Sequence, residues 1–229
     1  MNLDNKIAEY LRIQNEKEIA EHESSGKLTA SGLGKPLLEQ VLKVIGVPPS
    51  PFDDYALRLF ARGRQVEDWI VNIIEPDETQ LEVEYKNTIG LVDAVIDGVP
   101  HEVKSVKSSQ WKWLEKQGVR WGHKLQAGLY ALAMDKDTYN VIYISADDFR
   151  TMEFSEQTAN IKQEIDNIIS EVYLQIEKGE LPAFEPREDW QKNQQYSSYP
   201  DWMHLTPDLA MTKLKRTYPE AYKRLTKGE

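Results

Sequence analysis

The sequence predicts a mixed α/β fold in which a central β-sheet is flanked by helices, and three observations predict it. Strand-like runs rich in β-branched residues cluster in mid-chain: LEVEYK at 81–86, GLVDAVI at 90–96 and HEVKSV at 101–106. Two more runs return later, YNVIYIS at 139–145 and FRTMEFS at 149–155. Apolar residues at helical spacing precede, separate and follow these runs, an order that suits a sheet sandwiched between helices.

Taken in order, acid-rich residues 1–23 read as an amphipathic opening helix, and SSGKLTASGLGKP breaks it with small residues, glycines and a proline. A short helix is expected from about Pro36 to Ile45. After VPPSP, the segment from Phe52 to Ile74 carries a stripe of Phe60, Gly63, Val66, Ile70, Ile73 and Ile74. Beyond the first three strands, SSQWKWLEKQG opens a helix capped by Ser108 or Ser109. GHKLQAGLYALAM is apolar on nearly every side and therefore reads as a buried helix. The 139–145 run is the expected parallel neighbour of 101–106, reached by a right-handed crossover. Ile161, Ile165, Ile168, Val172 and Ile176 mark a long closing helix. EPREDWQKNQQYSSYPDW is irregular, and the basic tail ends in a short helix. With no internal repeat and no clean linker, the chain reads as one domain over 1–229. Its core spans about 52–180, with an N-terminal helical extension at 1–50 and a C-terminal tail at 185–229.

A chain of 229 residues, 40% hydrophobic and 10% aromatic, can bury a proper core. It has no cysteine, which excludes disulfides, thiolate zinc sites and cysteine-held iron–sulfur clusters. A metal must then sit on oxygen or imidazole. The N-terminus lacks the apolar core of a signal peptide, and no apolar run approaches the ~20 residues that span a bilayer. The expectation is a soluble cytoplasmic protein with no membrane contact. A formal charge of −10 argues against a generally basic, nucleic-acid-coating surface. Locally, however, Lys104, Lys107, Lys112, Lys116, Arg120 and Lys124 face only Glu115, and the tail from Met211 is also basic. An acidic body with such stretches can hold a polyanion in one place, or simply carry two solvated helix faces.

Asp97-Gly98 is a strong hairpin signal, because both central residues of a type I′ turn need positive φ. The turn fixes a register: Ile96 faces Val99, Val95 faces Pro100, Ala94 faces His101 and Asp93 faces Glu102. The last pair falls at a non-hydrogen-bonded position, where Cβ atoms approach to roughly 4.5–5.5 Å. Lys104 shares the face of Glu102 by the two-residue repeat. Facing carboxylates repel unless a cation lies between them. Lys104 is one candidate; a divalent metal is the better one, since hard carboxylate oxygens suit Mg²⁺ or Mn²⁺. Lys104 would then be free to orient a water or to stabilise phosphoryl charge.

Glu67 interrupts an apolar helix face, which costs free energy unless the carboxylate is paired or metal-bound. Taken alone, a place at the edge of the stripe beside Arg64 is the better account of it. Gln126 and Tyr130, four residues apart, put two polar tips on one side of the buried helix, where each needs a partner. His123 lies three residues before Gln126 and reads as a surface contact to DNA. Trp111, Trp113 and Trp121 interleave with Lys112, Lys116, Arg120 and Lys124, a mixture that suits stacking on bases while holding phosphates. Core packing would explain at least one of these tryptophans as well.

In order, Gly63-x-x-x-Glu67, Gly90-Leu-Val-Asp93, Glu102-Val-Lys104 and Gln126-Ala-Gly-Leu-Tyr130 form a constellation that resembles the PD-(D/E)XK nuclease superfamily. The Q-x-x-x-Y helix makes it most similar to the RecB-like branch, including CRISPR-associated RecB-like exonucleases, and more distantly to lambda-type phage exonucleases. The resemblance covers Gly63 to Tyr130 and implies a restriction-endonuclease-like core. It further implies a Mg²⁺- or Mn²⁺-dependent deoxyribonuclease, foremost an exonuclease of recombination, repair or phage replication acting on a DNA single strand or duplex end, with a recombination or replication protein as a possible partner. A structure- or site-specific endonuclease, and a non-catalytic DNA-binding protein of the same fold, are the alternatives. By resemblance, Asp93, Glu102 and the Val103 carbonyl would be metal ligands, and Glu67 would reach the metal directly or through water. Lys104 would serve the attacking water, while Gln126 and Tyr130 would position the scissile strand or support the lysine. Lys107, Lys112, Lys116, Arg120, His123 and Lys124 would contact DNA. Two features depart from the family: no cysteines for the iron–sulfur cluster of many CRISPR-associated relatives, and Val92 in place of the proline before Asp93.

Overall fold

The structure, a computed structural model, describes residues 2–21 and 26–227. Six strands form one mixed sheet. β2 (Glu78–Tyr85), β3 (Thr88–Ile96) and β4 (Val99–Val106) make an antiparallel meander, as the sequence predicts. Asp97 and Gly98 both take positive φ, 51° and 72°, so the β3–β4 turn has the conformation its residues require. β5 (Thr138–Ser145) lies parallel to β4, with Glu102 beside Val141 and Lys104 beside Tyr143. β6 (Thr151–Gln157) closes the sheet antiparallel to β5. The expected mixed α/β fold with a central sheet flanked by helices is therefore the observed one. β1 (Leu28–Thr29) was not foreseen. It is two residues long, too short for any periodicity, and pairs parallel with Thr88 and Ile89 of β3.

Helices cover both faces, and the period of two along the strands sorts the side chains between them. Val141 and Tyr143 of β5 join the large core under α5 (Trp121–Ala133) and α6 (Lys162–Lys178). Ile142 and Ile144 join a smaller cluster with Val66 and Ile70 of α3 (Asp54–Ile74) and Val103 of β4. α5 buries Leu125, Ala127, Gly128, Leu129, Tyr130 and Ala131, as its all-round apolar sequence implies. The stripe expected on α3 needs correction at two positions. Phe60 and Ile73 are 44% and 54% exposed. α3 rests on β4 and β5 along one narrow line, so apolar residues beside that line stay in solvent.

α1 (Leu3–Glu21) packs on α3, tied by a fork from Arg12 to Asp54 at 2.6 and 2.5 Å. Residues 22 and 23 of the expected opening helix lie outside the described residues. α2 (Leu37–Val44) buries Leu38, Val41 and Leu42 against the large core. Ser108 does not cap the next helix; its hydroxyl and N–H both donate to Asp147, and a 3₁₀ turn over Ser108–Gln110 leads into α4 (Trp111–Gln117). The irregular 185–202 stretch contains three short 3₁₀ turns, and the basic tail forms two helices, α7 (Pro207–Thr217) and α8 (Pro219–Thr226), rather than one. No helix among the described residues is long and apolar enough to cross a membrane.

Candidate active site

One edge of β3 is paired with β2 from Tyr85 opposite Thr88 to Glu78 opposite Val95, with the pairing interrupted only between Gln80, at φ 51°, and Asp93. The other edge is shared between two partners. β1 takes Thr88 and Ile89, and β4 takes Ala94, Val95 and Ile96. Residues 90–93 lie between them with no strand partner on that side, which leaves a window inside the sheet. The three hairpin pairs nearest the turn match the expected register, but pairing stops at Ala94–His101 instead of continuing to Asp93–Glu102. A continuing antiparallel ladder would have Val103 bonded to Val92. Instead the Val103 N–H donates to Asp93 Oδ2 at 2.8 Å, so a side chain replaces a backbone acceptor where the strands separate.

The window gathers residues from both faces. From the α5 side, Glu102 is fully buried and forms an ion pair with Lys104. Neither of its oxygens closes a hydrogen bond of full geometry among the described residues. Burial pushes the Glu102 carboxyl above its ordinary range; Lys104 pulls it back only in part, and Asp93 pushes it further up. Asp93 is raised for the same reason, first by burial, against the opposing pull of Lys104 and the Val103 N–H. Burial alone would lower the Lys104 ammonium, but Glu102, Asp93 and Glu67 outweigh it and hold the proton on. From the α3 side, Glu67 Oε1 accepts from the N–H and hydroxyl of Ser105 at 2.8 and 3.0 Å. Ser105 went unnoticed in the sequence; its place two residues before Lys107, on the α3 face of β4, was the available signal.

α5 presents His123, Gln126 and Tyr130 to this region at helical spacing. Gln126 Nε2 donates to the Tyr130 hydroxyl oxygen at 2.7 Å. Burial first, and then the charge on Glu102, hold the Tyr130 hydroxyl protonated. His123 is half-buried rather than a free surface contact, and its Nδ1 lies 2.8 Å from the Tyr143 hydroxyl. The Tyr143 hydroxyl oxygen also accepts from the Arg120 N–H at 3.1 Å, so it ties the start of α5 to β5 beside His123. Burial, with Lys104 and Arg120 nearby, depresses His123 to about 3 and keeps it neutral. That tie is invisible in the sequence, where YNVIYIS reads only as a buried strand.

The remaining candidates spread outward. Lys107 donates to the Tyr55 hydroxyl at 3.0 Å, and the Arg120 guanidinium lies 5.5 Å over the Trp113 ring. Lys112 and Lys116 are exposed on α4, whereas Lys124 is held by Glu156 at 2.7 Å. Among the tryptophans, Trp111 is core, Trp113 is exposed, and Trp121 donates to Glu164.

Among the described residues, no three acidic or histidine side chains already converge as a metal cluster. Each acid has a local partner instead: Glu67 has Ser105, Asp93 has Val103, and Glu102 has Lys104. The donor set nevertheless suits a hard divalent cation. Two mutually repelling, desolvated carboxylates border an open backbone window, and Glu102 lacks well-formed donors.

No family model and no curated protein matches the chain. Among solved structures, it is similar to SSO0001, with 17% identity, 87% of this chain and 98% of that one covered, and a TM-score of 0.53. At that identity the likeness shows a shared fold and nothing of activity. Also similar are an alkaline exonuclease, LHK-Exo, from Laribacter hongkongensis, at 15% identity over 71% of this chain and 95% of that one with a TM-score of 0.49, and LHK-Exo in complex with dAMP, at 17% identity over 67% and 91% with a TM-score of 0.46.

Proposed function

We propose that this chain is a Mg²⁺- or Mn²⁺-dependent DNA exonuclease of the PD-(D/E)XK superfamily, RecB-like branch. The observation that carries the reading is Glu102, a fully buried carboxylate paired with Lys104 beside the unpaired window that also holds Asp93. Desolvated acids with a specific charge partner cluster at functional sites. Asp93, Glu102 and the Val103 carbonyl would hold the metal, with Glu67 direct or through water. Such a metal supplies positive charge against phosphoryl oxygens and lowers the proton affinity of water.

The chain's own residues divide the remaining work. Lys104 keeps its proton, so it acts as a fixed ammonium that orients the attacking water and neutralises phosphoryl charge rather than as a base. Gln126 and Tyr130 brace Glu102 from the α5 side. Lys107, Lys112, Lys116, Arg120 and Trp113 offer cations and one exposed ring along the approach. The test is cleavage of linear DNA in manganese. Asp93→Asn and Lys104→Ala should each lose on the order of 10²–10³-fold in rate; full activity in both would refute the assignment. Resistance of circular single-stranded DNA is expected of an enzyme that needs an end, and its cleavage would replace exonuclease with endonuclease.

A further inference from the structure

Gly90 lies in the window of β3, between Ile89, which pairs with β1, and Ala94, which pairs with β4. A Cβ built there would come within 2.6 Å of Cε1 and 2.9 Å of Cδ1 of Tyr130, and 3.3 Å from the Ala30 Cβ. The Tyr130 ring is 1% exposed and locked in the large core, so it cannot swing aside as the tip of a flexible side chain would. Ala30, 2% exposed, is the other buried neighbour. The ring therefore occupies space that any side chain at position 90 would claim.

That seat has a chemical consequence. Gln126 Nε2 already donates to the Tyr130 oxygen, which leaves the hydroxyl proton for another acceptor. The charge on Glu102 helps hold that proton on the hydroxyl, and neither Glu102 oxygen has a hydrogen-bond partner of its own among the described residues. A Cβ only 2.6 Å from Cε1 would force the ring to shift and would move its hydroxyl with it.

We propose that Gly90 is a positioning residue for the hydrolysis: its lack of a side chain seats Tyr130 against β3 and so fixes where the Tyr130 hydroxyl, held by Gln126, stands relative to Glu102. This rests on the nuclease reading above. Gly90 touches no substrate; it acts through Tyr130.

Two mutant cycles test the proposal. The first is independent of activity and pairs Gly90→Ala with Tyr130→Ala in thermal unfolding. Gly90→Ala should lower the melting temperature in the wild type and much less once the ring is gone; equal losses in both backgrounds would overturn the seat. The second pairs Gly90→Ala with Tyr130→Phe in manganese-dependent cleavage. Misplacement by about 1 Å can cost on the order of 10²-fold in rate, so Gly90→Ala should lower kcat by roughly that factor, with KM little changed. In the Tyr130→Phe background, where no hydroxyl remains to be misplaced, the same substitution should cost little more. A full additional loss there, or unchanged kcat in Gly90→Ala alone, would overturn the positioning role. If the wild type does not cleave while the unfolding cycle shows the coupling, the nuclease reading and the positioning role fall together and the seat itself stands.

Discussion

The two faces of β4 are built differently. On the α5 face, Glu102, Lys104 and Val106 look into a core that also takes in α2, α6 and the C-terminal helices. On the α3 face, Val103 and its neighbours meet a cluster of five buried residues, Val66, Ile70, Val103, Ile142 and Ile144. Aromatic residues stay outside that cluster: Trp69 meets Phe149 at a tilt of 47° with ring centres 4.7 Å apart, the two being 45% and 51% exposed. The difference teaches where rigidity lies. The α5 face can hold a buried charge because close packing fixes every neighbour. The α3 face brings Glu67 to the same window from a helix with few buried contacts, and elements of that kind open first.

The largest expected effect breaks the α5 face from within. In metal-free protein, Lys104→Met leaves Glu102 buried without its cation and should cost about 3–5 kcal/mol in urea unfolding. The double variant with Glu102→Gln should regain most of it. A single variant as stable as the wild type would mean that the ion pair is not held in a fixed low-dielectric setting. A smaller effect compares the faces directly. Leu129→Ala under α5 should cost about 3 kcal/mol or more and Ile70→Ala under α3 about 2 kcal/mol, the low end of the range, because the thinner cluster relaxes around the lost methyls; the reverse order would invert the comparison.

The smallest effect is a slope with pH. The folded state depresses His123 to about 3, below the ordinary value of 6.5. Between those values the unfolded chain binds the extra proton and the folded one does not. The contribution of His123 is therefore present above about pH 6.5 and is lost progressively as pH falls towards 3. His123→Phe should flatten that part of the stability profile, which chemical denaturation at a series of pH values would show. An unchanged slope would place the imidazole in water.

Much of this site was legible because its residues obey local rules. Asp97-Gly98 sets the register, and the alternation of Glu102 and Lys104 follows from the pleat. The Gln126–Tyr130 spacing puts both polar tips on one side of α5, and the structure shows that they partner each other. What escaped depends on distant chain segments. Nothing local announces that β1 would take Thr88 and Ile89, and that pairing, with β4 turning away to β5, is why Asp93 and Glu102 border a gap instead of completing a ladder. Phe60 and Ile73 look like core because periodicity reports an apolar flank but not the width of the surface that covers it. His123 was read as free because its partner, Tyr143, lies in a strand whose pattern shows only burial.

The window in β3 also bears on how this sheet meets other chains. An unpaired strand edge invites association, and proteins usually shield it at the rim. Here the unpaired stretch is internal, bounded by β1 at one end and β4 at the other. Four residues of strand extend about 13 Å, too short to template another β-strand. The fold thus leaves strand backbone unpaired in the middle of a sheet without presenting an edge long enough to recruit another strand.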